Sequence, residues 1–350
     1  MRDRAIDTAR GLLVLLMVWG HTMQFFADTQ IFPLAQTLIE AINVTVFPTF
    51  VFCFGCTVCL AYLQKPYARA LPGMVRTMLR AYAAFVLSGG GFRVLREGKA
   101  LAWPTVQRIL LLRDILGWSE FLAAFALYVL LAIILFRPLR FLAGRPTAAA
   151  LVGGVCLLSC LIPAERVGST WLALLVGGTQ FCFFPIAAYM PYFLAGMLYA
   201  SGGRSRRLAL AGLAAAATAP AAAMLLKTCA LPGRFPPESG WILLSALPVC
   251  AVVLLAAGLN RLPRAAEPVR ATLAHLGAGS LYYLLTSNLA IFALAGRGIV
   301  PQYSKKGLPP FSLTIQSPEG ALGWAALLLL AIWFVSRLAN RGKTAAGANK

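Results

Sequence analysis

One stretch near the start of this chain places an arginine, a histidine and an aspartate at helical spacing. Arg10 and His21 are eleven positions apart, and Asp28 follows seven positions further on. At about 100° and 1.5 Å per residue, Arg10 and His21 point within about 20° of each other and stand about 16 Å apart along a helix. Asp28 again falls about 20° away, and Gln24 continues the same stripe. One helix face thus runs from a guanidinium through an imidazole to a carboxylate. His21, one of only two histidines, lies inside an apolar run. An ionisable group at membrane depth is costly and by default marks a site. The chemistry it offers is proton transfer near neutral pH. The competing reading is structural, a histidine that only hydrogen-bonds a neighbouring helix. Asp7 has two candidate roles, capping the helix start or pairing with Arg10.

The elements that must position this stripe are legible from composition. The chain has 350 residues, 60% of them hydrophobic and 12% charged, with a mean hydropathy of +0.77. Such a chain belongs in a bilayer. The expected fold is all-α, a polytopic transmembrane bundle of about ten helices, near 11–27, 42–63, 74–92, 119–136, 147–163, 184–200, 207–226, 241–259, 274–295 and 320–338. An apolar run at 171–183 is a further interfacial candidate.

A net charge of +20 invites a nucleic-acid reading, but the basic residues fall in short loops between apolar segments, so no nucleic acid is expected. With both termini cytoplasmic, 20 of the 31 Lys and Arg and three of the 11 Asp and Glu lie inside. That is the asymmetry of the positive-inside rule. Residues 1–340 read as one integral membrane domain and 341–350 as a disordered cytoplasmic tail. The end of the first helix lacks a small-residue cleavage pattern, so that helix is expected to remain in the mature protein.

Cys53, Cys56 and Cys59 have a metal-like spacing. On a helix, however, each three-residue step turns the side chain about 60° backwards, which spreads them across a face. Small apolar packing is the expected role and no metal site is expected.

The segment Ile6-Asp7-Thr8-Ala9-Arg10-Gly11-Leu12, with ten residues between Arg10 and His21, resembles the N-terminal signature of the membrane acyltransferase-3 family. Phe47-Pro48-Thr49-Phe50-Val51-Phe52-Cys53-Phe54-Gly55 looks like that family's second helix, with Cys53-Phe54 where Ser usually precedes the Gly. Arg76 and Arg80 resemble the basic pair opening its third helix, in a looser spacing. Pro191-Tyr192-Phe193-Leu194-Ala195-Gly196-Met197 resembles a late Phe-rich helix. Leu276-Gly277-Ala278-Gly279-Ser280-Leu281-Tyr282-Tyr283-Leu284-Leu285 resembles the penultimate one, where many relatives next carry a His and this chain has Thr286-Ser287-Asn288.

The resemblance implies an integral acyltransferase of the inner membrane. It would move an acyl group, acetyl or succinyl by expectation, from cytoplasmic acyl-CoA to a hydroxyl of an envelope polysaccharide, glucan or lipid-linked sugar. Acyl-CoA is then a co-substrate, and no permanently bound cofactor is expected. Arg10, Arg76 and Arg80 would hold the CoA phosphates, because guanidinium forks match phosphate oxygens; their bland role is topology alone. His21 would be the base on the acceptor hydroxyl or a covalent relay. Its orienting carboxylate would be Asp28, Glu40 or Glu120, although Asp28 is about 10 Å above His21 on a straight helix. Asn43, Ser280, Tyr283 and Asn288 are candidate oxyanion donors, and Asn288 also counts, with Asp7 and the three acids, among the residues expected to support the site. His275, among cytoplasmic positives, reads as interfacial. The alternative is a transporter or flippase for an envelope lipid or sugar, since polar groups lining a bundle also serve a permeation path.

Overall fold

A computed structural model of the chain describes residues 3–27, 29–116, 118–179, 183–296 and 317–348. These are helical throughout, with no strand among them. In chain order the α-helices are α1 (Arg4–Phe26), α2 (Pro33–Val58), α3 (Tyr67–Gly91), α4 (Trp103–Leu110), α5 (Glu120–Ile134), α6 (Phe136–Gly144), α7 (Pro146–Leu157), α8 (Thr170–Val176), α9 (Ile186–Ser201), α10 (Arg204–Thr228), α11 (Ser239–Leu244), α12 (Ala246–Leu259), α13 (Glu267–Ala278), α14 (Ser280–Gly296) and α15 (Pro318–Ala348). Single π-turns continue α2 to Leu63 and α3 to Arg96. The expected helices fall on these elements, but those near 119–136, 241–259 and 274–295 are each broken in two, and α15 runs on through residues 341–348 of the tail expected to be disordered.

Among the described residues four stretches are long and apolar enough to cross a membrane: Pro33–Leu63, Arg204–Thr228, Ser239–Leu259 and Pro318–Arg337. The number rises to six if α5 with α6, and Arg264–Ala278 with Ser280–Ala295, each count as one bent span. The first helix is outside this set. Its apolar run is interrupted by Arg10, His21 and Gln24, the same residues that make its polar stripe.

Prolines explain two of the breaks. A proline removes one helical N–H and crowds the carbonyl four residues back. Pro138 and Pro248 stand four residues after Ile134 and Leu244, where α5 and α11 stop. Both prolines then fall in the first turn of the following helix, where they are tolerated. The α5–α6 corner turns by 88°. At the α11–α12 break, Thr218 on α10 re-satisfies the backbone. Its Oγ1 accepts the Leu247 N–H at 3.0 Å and lies 2.9 Å from the Ala214 and 3.2 Å from the Leu243 carbonyl oxygen. Thr218→Val keeps the shape but strands that N–H in a dry place, so it is expected to destabilise the protein by about 1–3 kcal/mol. Thermal unfolding in detergent measures this; an unchanged midpoint would mean the break has another partner.

The chain divides into two compact units. The first comprises Met1–Leu13, Asn43–Gly90 and Leu101–Ala278. Its helices meet at two close crossings built on glycine. A Cβ on Gly55 of α2 would overlap the Phe193 carbonyl oxygen of α9, and one on Gly196 would overlap that of Phe52. The Cys56 thiol donates to the Gly196 carbonyl oxygen at 3.1 Å in the same crossing. Gly11 of α1 likewise abuts the Leu273 carbonyl oxygen of α13, and Gly277 that of Asp7. Small residues that admit such backbone contact are how helices associate in lipid, where apolar burial alone gives no drive. Around the first crossing the core is aromatic, with Tyr128 stacked on Phe193 at 5.3 Å and 13°.

The second unit comprises Val14–Ile42, Gly91–Ala100 and Gly279–Lys350. It holds the later part of α1, the start of α2, the π-turn Phe92–Arg96, α14 and α15. Phe292 of α14 is packed edge-on by Phe92 at 5.0 Å, and Gly91 leaves room for Leu289.

Candidate active site

In the second unit α1 is keyed into two other helices by polar and aromatic rungs. His21 Nδ1 and Asn288 Oδ1 are 2.8 Å apart. One turn further along both helices, Phe25 meets Phe292 with ring centroids 5.8 Å apart. On another side, the Trp19 indole donates to the Pro318 carbonyl oxygen at 3.0 Å, and the Thr22 hydroxyl lies 3.0 Å from that of Ala321. Those two rungs are three residues apart on both α1 and α15. Each ladder advances in step, four residues against four and three against three, as side chains on one helix face must. The helix that carries the imidazole is therefore held by two neighbours, and the ring itself by α14.

The amide sets the chemistry of the ring. An Asn Oδ1 accepts only, so Nδ1 carries the hydrogen, and in the neutral ring the lone pair then resides on Nε2. Asn288 is 1% exposed, while His21 is only partly buried. Among the described residues the partner at Nδ1 is thus a neutral amide. It fixes the tautomer without adding a charge to an apolar place. Asn288 entered the sequence reading both among the supporting residues and as a candidate oxyanion donor; the structure sets its oxygen against the histidine.

The expected acids have other surroundings. Asp28 lies outside the described residues. Glu40, in the second unit, accepts from Gln36 Nε2 at 2.9 Å, one turn away on α2. Glu120 belongs to the first unit, is 1% exposed, and accepts the Phe183 N–H at 3.0 Å; it pins the loop that leads into α9. Ser280 and Tyr283 are buried on α14. Asn43, in the first unit, has a buried Nδ2 that makes no hydrogen bond.

The basic residues of the first unit separate into two kinds. Arg4 and Arg270 both pair with Glu267, the latter at 2.6 Å, and tie the start of α1 to α13. Asn260 reinforces this junction by donating to Thr8 Oγ1 at 3.0 Å. The helix cap is Asp3, whose Oδ1 accepts the Ala5 N–H at 2.9 Å, and Asp7 instead faces Arg10 at 3.9 Å. Arg76 and Arg80 are exposed on α3, one turn apart, and among the described residues neither makes an ion pair. His275 is exposed on α13.

Cys53, Cys56 and Cys59 are all buried, and no cluster of three or more His, Cys, Asp or Glu able to hold a metal occurs among the described residues. Sequence reasoning missed the four crossing glycines as a set. The available signal was the glycine that each of four quoted motifs carries, Gly11, Gly55, Gly196 and Gly277.

No protein-family model, curated protein or solved structure matches the chain. Its chemistry rests on its own residues.

Proposed function

We propose that this protein is an integral membrane acyltransferase, with about ten spans, both termini cytoplasmic and residence in the inner membrane. It moves an acetyl or succinyl group from acyl-CoA to a hydroxyl of an envelope glycan or lipid-linked sugar. The observation that carries this reading is the 2.8 Å contact between His21 Nδ1 and Asn288 Oδ1, because it supplies an oriented base in an apolar setting. Nε2 takes the proton of the acceptor hydroxyl as its oxygen attacks the thioester carbonyl. The tetrahedral intermediate then expels the CoA sulfur, which leaves as the thiol with the proton held on the imidazole. The resemblance of the first-helix segment to the membrane acyltransferase-3 family supports the same chemistry. So does the meeting of the resembling motifs in two pairs, Gly11 with α13 and Gly55 with Gly196.

Arg10, Arg76 and Arg80 bind the CoA phosphates in this reading. Protein reconstituted in vesicles with acetyl-CoA or succinyl-CoA is expected to release free CoA thiol, faster when a glycan acceptor is supplied. Arg10→Gln, and the double substitution of Arg76 and Arg80 by Gln, are each expected to raise the KM for acyl-CoA about tenfold, roughly one charge-assisted hydrogen bond, with kcat little changed. Unchanged KM values would assign these arginines to topology. The bent pair α5–α6 is a feature that transporters share. Acceptor flux without thioester consumption would decide for a transporter and against transfer.

A further inference from the structure

Within the first unit, α9, α10, α11 and α12 enclose an open cavity of about 670 Å³. Its lining is sharply divided. Arg204 and Arg207 open α10 and Arg261 follows α12, and among the described residues these three are the only charged ones on it. The rest is an apolar trough, with Ala211, Ala214 and Ala217 along α10 facing Val253 of α12. Small side chains on α10 hollow the trough, while Leu208, Leu213 and Leu254 along its edges are well exposed. Only 11% of the apolar stretch of α10 is buried in the protein, so the trough opens on the side where this helix meets its surroundings.

The arginine end is prepared for an anion. Among the described residues none of the three guanidiniums is paired with a carboxylate. Arg207 is already oriented, with its guanidinium carbon 4.4 Å over the Tyr199 ring and its Nε donating to the Tyr199 carbonyl oxygen at 3.4 Å. The neighbouring Arg206 makes the contrast, since it turns away to the Ala143 carbonyl oxygen and Ser201. From Arg207 to Ala217 the trough runs ten residues, about 15 Å, which is half of a hydrocarbon core of about 30 Å. We infer that this trough binds one anionic glycerophospholipid, its phosphate held by Arg204, Arg207 and Arg261 and an acyl chain laid along α10. Three unpaired guanidiniums match phosphate oxygens, and a basic mouth between membrane helices selects anionic headgroups. The apolar remainder and its length match one leaflet. This inference does not depend on the acyltransfer reading.

Native mass spectrometry of the full chain in detergent tests it, with palmitoyl-oleoyl phosphatidylglycerol and the matching phosphatidylcholine added at equal concentration. Phosphatidylglycerol is expected to be retained at least about tenfold better. The R204Q/R207Q/R261Q variant is expected to lose that preference, and Ala214→Phe, which fills the trough, to lose retention of the lipid altogether. Should the triple variant fail to fold, the wild-type ratio and Ala214→Phe decide. Equal retention of the two lipids, a preference that survives the triple substitution, or retention unaffected by Ala214→Phe would each overturn the assignment. Displacement of phosphatidylglycerol by an equal concentration of palmitoyl-CoA would give the trough to an acyl donor and overturn it too.

Discussion

His21→Ala is expected to lower acyl transfer by about 10²–10⁴-fold, the contribution of a positioned general base, while the protein stays folded and still binds acyl-CoA. The loss falls on kcat because the imidazole acts on the hydroxyl proton rather than on donor binding. Asn288 acts through the ring, and its removal has a different signature. Asn288→Leu leaves Nδ1–H without its acceptor and frees the ring to turn. Losing one such buried hydrogen bond costs about 1–3 kcal/mol, so kcat is expected to fall about tenfold to a hundredfold with the KM for acyl-CoA unchanged. Chemical rescue separates chemistry from architecture. Free imidazole is expected to restore part of the activity to His21→Gly and none to Asn288→Leu. Normal transfer by His21→Ala would remove the catalytic role and leave His21 as a rung between α1 and α14.

The largest structural effect is expected at the crossing of α2 and α9. Gly196→Leu brings a branched side chain against the Phe52 carbonyl oxygen, and the matching contact of Gly55 with Phe193 prevents either helix from sliding aside. Ordinary overpacking costs about 1–3 kcal/mol because neighbouring side chains yield. Here the obstacle is backbone on both sides, so the cost is expected at or above about 3 kcal/mol. Little folded protein should be recovered. Gly196→Ala should also destabilise. Gly212, on α10 with nothing within 4 Å of an added Cβ, is the control. Gly212→Ala is expected to stabilise by about 0.5–1 kcal/mol, the usual penalty of glycine inside a helix. Thermal unfolding of the three variants in one detergent measures the contrast, and equal melting of Gly196→Ala and Gly212→Ala would refute the close-contact account.

Much of the helical layout was legible because apolar runs long enough to be helices announce themselves. The corners were less so. Pro138 and Pro248 end helices four residues upstream, yet Pro48, Pro191 and Pro220 lie inside unbroken ones, so a proline marks a possible break and packing decides it. In the site, His21 was legible from its rarity and depth. Asn288 was named among the supporting residues, but its pairing with His21 was not legible, since it is 267 residues away and no periodicity links two helices of different segments. The expectation of a carboxylate rested on what an imidazolium prefers. An amide suffices to orient a neutral ring. Arg4 and Arg270 show the limit of charge counting: both fit the positive-inside pattern, and both are also paired to Glu267.

The ladders that hold α1 also have a consequence for biosynthesis. The first helix emerges with Trp19, His21 and Thr22, whose partners are at Pro318, Asn288 and Ala321. At about 5–20 residues per second, some 15–60 s pass before the last of them is made. Throughout that interval the opening helix carries an imidazole and an indole N–H without their eventual partners in an apolar medium, where each such group is costly. A chain cut short before Asn288 would satisfy neither, and one cut before Pro318 would leave the indole N–H without its acceptor. Completion of translation is therefore a physical step in assembling the site, because the last rungs that hold the first helix come from the end of the chain.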